Sequence, residues 1–180
     1  MIYIFFAQGF EEIEGLATVD VLRRAKLQVM IVGVGSKIIT GSHGIAVLCD
    51  LETDEVEPSE DIEAVILPGG MPGTINLEKS KKVLDFIDYA YSKNKLICAI
   101  CAAPIILGHR GLLKGREAIC FPGYEEDLLG ARISRKYVCK DDMLITAKGM
   151  GVSLEFGLEI AKHFVGEAVA KNLRESLQCQ

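Results

Sequence analysis

Apolar runs alternate with segments of helical period along almost the whole chain. Residues Ile2–Ala7, Leu27–Val34, Ala64–Leu67 and Leu96–Ile100 are apolar runs rich in β-branched side chains, the pattern of strands buried on both faces of a parallel sheet. Between them, Glu14–Ala25 and Leu77–Tyr91 read as helices. In the second, Leu84, Ile87 and Tyr91 share one face, with Lys81, Lys82, Asp85 and Asp88 largely elsewhere. A final helical block from Val152 to Leu177 is expected to break near Gly166. Two hairpins interrupt the alternation, Ile38–Cys49 turning at Gly41–Gly44 and Tyr137–Ala147 turning at Asp141–Asp142. The stretch Asp50–Glu63 carries eight acids and no base and reads as a solvated loop and edge. No repeat, linker or composition shift divides the 180 residues. The pattern predicts one doubly wound α/β domain spanning 1–180, its mostly parallel sheet carrying helices on both faces. Function is expected at the carboxyl ends of its strands.

Composition narrows the partners. Twenty Lys and Arg against twenty-five Asp and Glu leave a net charge of −5. That balance disfavours a nucleic-acid backbone or an anionic membrane as the main partner. The longest apolar run, Leu96–Leu107, is too short to span a bilayer and is interrupted by Pro104. No Lys or Arg precedes Arg23, so a secretory leader with a basic start is not expected. The six cysteines sit mostly in apolar stretches of a chain large enough to fold without cross-links. A reducing cytoplasm is the expected location.

Candidate chemistry centres on Cys101. Strand Leu96–Ile100 runs directly into it, and Ala102, Ala103, Pro104 and an apolar helix follow. This is the strand–nucleophile–helix order of an elbow. A sharp turn lifts the side chain from the sheet, and a helix N-terminus favours a thiolate and offers N–H groups to an oxyanion. A thiol merely buried at a strand end is the plain alternative. Cys98 is read as core, because within a strand its three-residue offset from Cys101 extends ~10 Å and exceeds disulfide geometry. No second Cys/His pair has metal spacing, so no metal is expected.

After Ala64–Leu67 comes Pro68, then Gly69 and Gly70, adjacent glycines suited to a structural turn or, beside a nucleophile, to an oxyanion hole. Glu11 and Glu12 complement the dipole of the first helix, whereas Glu14 is placed to turn towards the strand tips and Cys101. His109, eight residues past Cys101, lies about 12 Å along its helix and cannot pair with it. His163 reads as a surface or packing residue. His43, in a Gly-Ser-His-Gly turn, is the histidine open to a site role.

Together these segments resemble the DJ-1/PfpI (ThiJ) superfamily, closest to its DJ-1/YajL-type branch. The likeness rests on GFEEIE with VDVLRRA after the first strand, AVILPGG, AICAAP at the elbow and GVSLEFGLEI opening the late helix, and covers essentially the whole chain. It implies a flavodoxin-like homodimer with Cys101 as reactive cysteine, Glu14 as the glutamate hydrogen-bonded to it, and oxyanion donors at Gly69, Gly70 and Ala102. The activities it implies are cofactor-free glyoxalase or deglycase chemistry on methylglyoxal, a small aldehyde or a glycated amine. A non-catalytic redox sensor or holdase chaperone using the same cysteine is the alternative. A dimer packed through the first helix and the 40–50 hairpin would bring Arg24 and His43 near the partner's Cys101.

The chain also departs from the family pattern in four places. Ala102 stands where the peptidase branch has histidine, so peptidase activity is not expected. No His-x-Glu pair of the amidotransferase kind follows. Phe121 stands where some relatives have histidine, and Gly149-Met150-Gly151 replaces a common Gly-Pro-Gly without an assigned role.

Overall fold

The computed structural model describes residues 1–179. Its main sheet has seven strands in the order β10-β11-β7-β6-β1-β2-β5. They are β1 (Ile2–Phe6), β2 (Val29–Gly33), β5 (Leu51–Glu52), β6 (Ala64–Leu67), β7 (Leu96–Ile100), β10 (Val138–Asp141) and β11 (Leu144–Ala147). Every pairing is parallel except β10 with β11. The four residues of β6 and five of β7 are all buried, which is why they lack polar alternation.

Side-chain alternation divides the interior into two layers. Ile2, Ile4, Phe6, Ile66 and Ile100 face α1 (Glu12–Arg24) and α5 (Ser153–Val165). Phe5, Val65, Leu67, Ile97 and Ala99 face α2 (Gly73–Lys79), α3 (Lys81–Ser92) and α4 (Pro104–His109). α1 and α5 pack closely because Gly157 has no side chain. A Cβ there would meet Val21 Cβ at 3.0 Å.

The expected flavodoxin-like sandwich is the fold observed, and both hairpins form. β3 (Ile38–Thr40) pairs with β4 (Ala46–Leu48), and β10 turns through Asp142 into β11. The late helical block breaks at Gly166, whose φ of +81° favours glycine, before α6 (Glu167–Ser176). One expectation is corrected. Leu77–Tyr91 is two helices, because the Ser80 hydroxyl accepts the Val83 N–H and caps α3. The acidic stretch contributes the edge strand β5, and Asp50 before it accepts from Ile31 N–H (2.8 Å) and Arg23 (2.7 Å). A small parallel pair, β8 (Glu117–Ala118) with β9 (Arg132–Ile133), lies in a region of no clear sequence period. Among the described residues no helix is long and apolar enough to cross a membrane.

Strand order reverses at β1, with β2 on one side and β6 on the other. The carboxyl ends of β1, β6 and β7 therefore meet at a topological switch point, where open α/β sheets bind ligands.

Candidate active site

Cys101 leaves the end of β7 with φ +64°, a left-handed conformation that a non-glycine residue holds only where its surroundings enforce it. Backbone bonds on both sides do so here. Its N–H donates to Ala147 carbonyl (2.9 Å), and its own carbonyl accepts from Phe121 N–H (2.7 Å). The side chain is half-buried, while Cys49, Cys98, Cys120 and Cys139 are fully buried. The N–H groups of Ala102 and Gly70 lie close enough to the sulfur to favour its charged form.

Glu14 reaches the same point from the first turn of α1 and is completely buried. Glu11 caps that helix, its carboxylate accepting the Glu14 N–H at 2.7 Å. Glu14 Oε2 accepts the Gly69 N–H at 2.8 Å. Its Oε1 has no well-aligned hydrogen-bond partner among the described residues and is left to the neighbouring Cys101 thiol, which interacts with this carboxyl. The Gly69 N–H is thereby committed to positioning Glu14. Gly70 and Ala102 remain as the donors towards sulfur. Gly70, with φ +89°, could not be replaced without a Cβ striking Glu11 N at 2.4 Å.

The electrostatics reverse one expectation. Burial, then the charge and hydrogen bond of Glu14, push the Cys101 thiol up to about 12 against the pull of the Ala102 and Gly70 N–H groups. α4 has only six residues, and its N-terminus offers too little to offset a neighbouring carboxylate in a buried site. Burial likewise raises the Glu14 carboxyl to about 7, opposed by the Cys101 and Gly69 hydrogen bonds and reinforced by the Glu11 charge. Glu14 therefore exchanges its proton around neutrality, and it can accept the proton that the thiol must lose.

His43 and Arg24 are engaged away from Cys101 within the chain. His43 is 71% exposed, and its Nδ1 lies 2.9 Å from Glu12 Oε2. Glu12, expected only to complement a helix dipole, is buried and organises the hairpin turn. It accepts from His43 N–H (2.7 Å), and the Ser42 hydroxyl lies 3.3 Å away. Against the upward push of burial, the His43 ring and the backbone N–H groups of Glu12, His43 and Ile45 hold its carboxyl down at about 2. Arg24 pairs with Asp20 at 2.6 Å near the end of α1. His109 bonds Glu78 (2.6 Å) and lies 3.3 Å from Asp127, and His163 sits 3.1 Å from Lys140. Glu11, Glu12 and His43 are also the one cluster among the described residues with metal-ligand spacing. The hairpin itself satisfies Glu12, so the cluster reads as a turn brace.

Gly149 is a site residue that sequence reasoning left without a role. A Cβ there would press on the Phe121 ring at 3.1 Å and stand 4.0 Å from Cys101 Sγ. The unfamiliar Gly149-Met150-Gly151 was the available signal.

Comparison with known proteins gives the family. Residues 1–163 match the model of the DJ-1/PfpI family. Protein DJ-1alpha of Drosophila melanogaster is 34% identical over 97% of this chain and 82% of its own length. A deglycase of Pyrococcus horikoshii is 33% identical over 71% of this chain and 75% of its own. The crystal structure of Drosophila melanogaster DJ-1beta superposes with a TM-score of 0.93 at 31% identity, covering 99% of this chain and 97% of that one. With a family model spanning most of its length and such relatives beyond it, the chain belongs to the DJ-1/PfpI family.

Proposed function

We propose that the chain is a cysteine-dependent, cofactor-free enzyme that converts methylglyoxal, or glyoxal-derived adducts of amines, by nucleophilic attack of Cys101. The observation that carries this reading is a half-buried sulfur flanked by two N–H donors and a buried carboxyl that titrates near 7. The naming of relatives as deglycases supports the same class of reaction.

The chemistry balances with water as the only co-reactant. Glu14 carboxylate takes the thiol proton as Cys101 Sγ bonds the aldehyde carbon. The carbonyl electron pair moves to oxygen, which the Gly70 and Ala102 N–H groups stabilise until Glu14 returns the proton. Glu14 then carries the hydrogen of that carbon to the adjacent one while the hydroxyl proton passes to the ketone oxygen, leaving a lactoyl thioester. Water hydrolyses the thioester, releasing lactate and the thiol. An amine adduct enters as the hemiaminal: Glu14 passes the thiol proton to the nitrogen, the C–N bond breaks as Cys101 Sγ bonds that carbon, and the free amine leaves the same hemithioacetal behind.

The same reading takes the protein as a homodimer joined through α1 and the β3–β4 hairpin, where Ile13, Ile38, Ile45 and Leu48 are exposed. Methylglyoxal turnover by Cys101→Ser and Glu14→Gln tests the catalytic part. Both variants are expected to lose it, and retention by either refutes the mechanism.

A further inference from the structure

An apolar groove that the mechanism leaves unused runs beside Cys101, with Gly149 between the two. Phe121, Pro122, Tyr137, Gly149, Met150 and Val152 line a volume of ≈ 410 Å³. Phe121, Tyr137 and Met150 are 47%, 65% and 52% exposed, and large apolar side chains exposed together mark a binding surface. The groove shares a wall with the nucleophile. The Gly149 Cβ position lies 4.0 Å from Cys101 Sγ and 3.1 Å from the Phe121 ring, and Phe121 N–H is bonded to the Cys101 carbonyl.

Its chemistry favours one kind of occupant. No acid lines it, and its one charged side chain, Lys148, lies with Nζ 5.1 Å from the Tyr137 ring centroid. A cation finds no partner there, and a methyl group fills little of the space. Apolar surface gains roughly 25 cal/mol for each Å² removed from water, so the walls reward an aryl or branched-alkyl group. We propose that the groove receives the apolar substituent of the electrophile that Cys101 attacks. The site then selects 2-oxoaldehydes carrying an aryl or branched-alkyl group over methylglyoxal. The proposal rests on the reading of Cys101 as nucleophile.

Alkylation of Cys101 by iodoacetamide and by its N-phenyl counterpart, followed by mass spectrometry, reads the groove without turnover. Glutathione treated in parallel gives the intrinsic ratio of the two rates. The N-phenyl preference at Cys101 is expected to exceed that of glutathione by at least about tenfold, and to fall in both Met150→Gln and Phe121→Ala. The ratio of kcat/KM for phenylglyoxal over methylglyoxal should fall in the same variants. A preference equal to glutathione's overturns the proposal, whether the groove is closed or covered by a second copy. So does a preference that survives both substitutions. If the preference holds while no 2-oxoaldehyde is converted, the groove stands and the glyoxalase reading falls.

Discussion

Glu14 and Cys101 meet only because Gly69 stands between them without a side chain. Its N–H holds Glu14 Oε2 at 2.8 Å, and a Cβ on it would fall 2.6 Å from Cys101 Cβ and 2.8 Å from that same carboxyl oxygen. The residue that positions the acid is thus also the one that leaves room for the nucleophile.

Gly69→Ala should therefore separate the pair. The nearest atoms include the Ile100 carbonyl oxygen at 2.9 Å, which the sheet cannot easily move. Overpacking of this kind costs roughly 1–3 kcal/mol. Denaturant unfolding should show that loss, and methylglyoxal turnover should drop with it. Unchanged stability and turnover would show that the backbone relaxes freely here.

Glu14 carries a stability cost that runs opposite to its proposed catalytic use. Its folded pKa of about 7 lies above the ordinary 4.5, so the folded state holds the proton more tightly than the unfolded state. Stability is highest below about 4.5 and falls as pH rises through 7. The difference amounts to about 3 kcal/mol at pH 8. Glu14→Gln is expected to unfold at higher urea than the parent at pH 8, with the gain vanishing near pH 4.5, while losing turnover. Equal gains at both pH values would place the effect outside ionisation.

In the proposed mechanism the same proton sets the rate. Glu14 must be ionised to take the thiol proton, so kcat/KM for methylglyoxal should rise through about pH 7. A profile flat from pH 6 to 8 would remove Glu14 as the base.

The strands and the elbow were legible because burial on both faces writes itself as continuous apolar runs, and β6 and β7 coincide with theirs. The Ser80 break was harder to see, since a single hydroxyl cap leaves the apolar period of the flanking helices intact. Cys101 and Glu14 were placed by position after strand and helix start. The direction of the Cys101 pKa was not, because it depends on how deeply a carboxylate sits beside the sulfur, which no spacing encodes. Glu12 was read from its place at a helix N-terminus, and its burial under a hairpin thirty-one residues away has no local signature. Gly149 offered only an altered motif, since contact with Phe121 joins two separate loops.

Peroxide should discriminate among the cysteines by access. Cys49, Cys98, Cys120 and Cys139 are at most 3% exposed, leaving Cys101 and Cys179 open. At Cys101 the Gly70 and Ala102 N–H groups can hold sulfinate oxygens, so a two-oxygen mass increase should accumulate there. Removing the carboxylate charge in Glu14→Gln should speed the reaction, because that charge suppresses the thiolate. Oxidation of Cys49 or Cys139 ahead of Cys101 would contradict this ordering.

His43 offers the last test, across the proposed dimer. Hydrogen bonding to Glu12, then the charge of that carboxylate, raises the His43 pKa above 6.5, so the imidazolium persists towards neutral pH and is lost as pH rises further. Its bonds to Glu12 and Ser42 use Nδ1, which leaves Nε2 for a proton relay to a partner's Cys101. If His43 serves that role, His43→Ala should lower methylglyoxal turnover and remove one ionisation above pH 6.5 from the rate profile. Mixing His43→Ala with Cys101→Ala chains should restore part of the turnover, since one site of each heterodimer regains both groups. A His43→Ala protein indistinguishable from the parent would confine His43 to bracing its own hairpin through Glu12. The proton transfers would then belong to Glu14 alone.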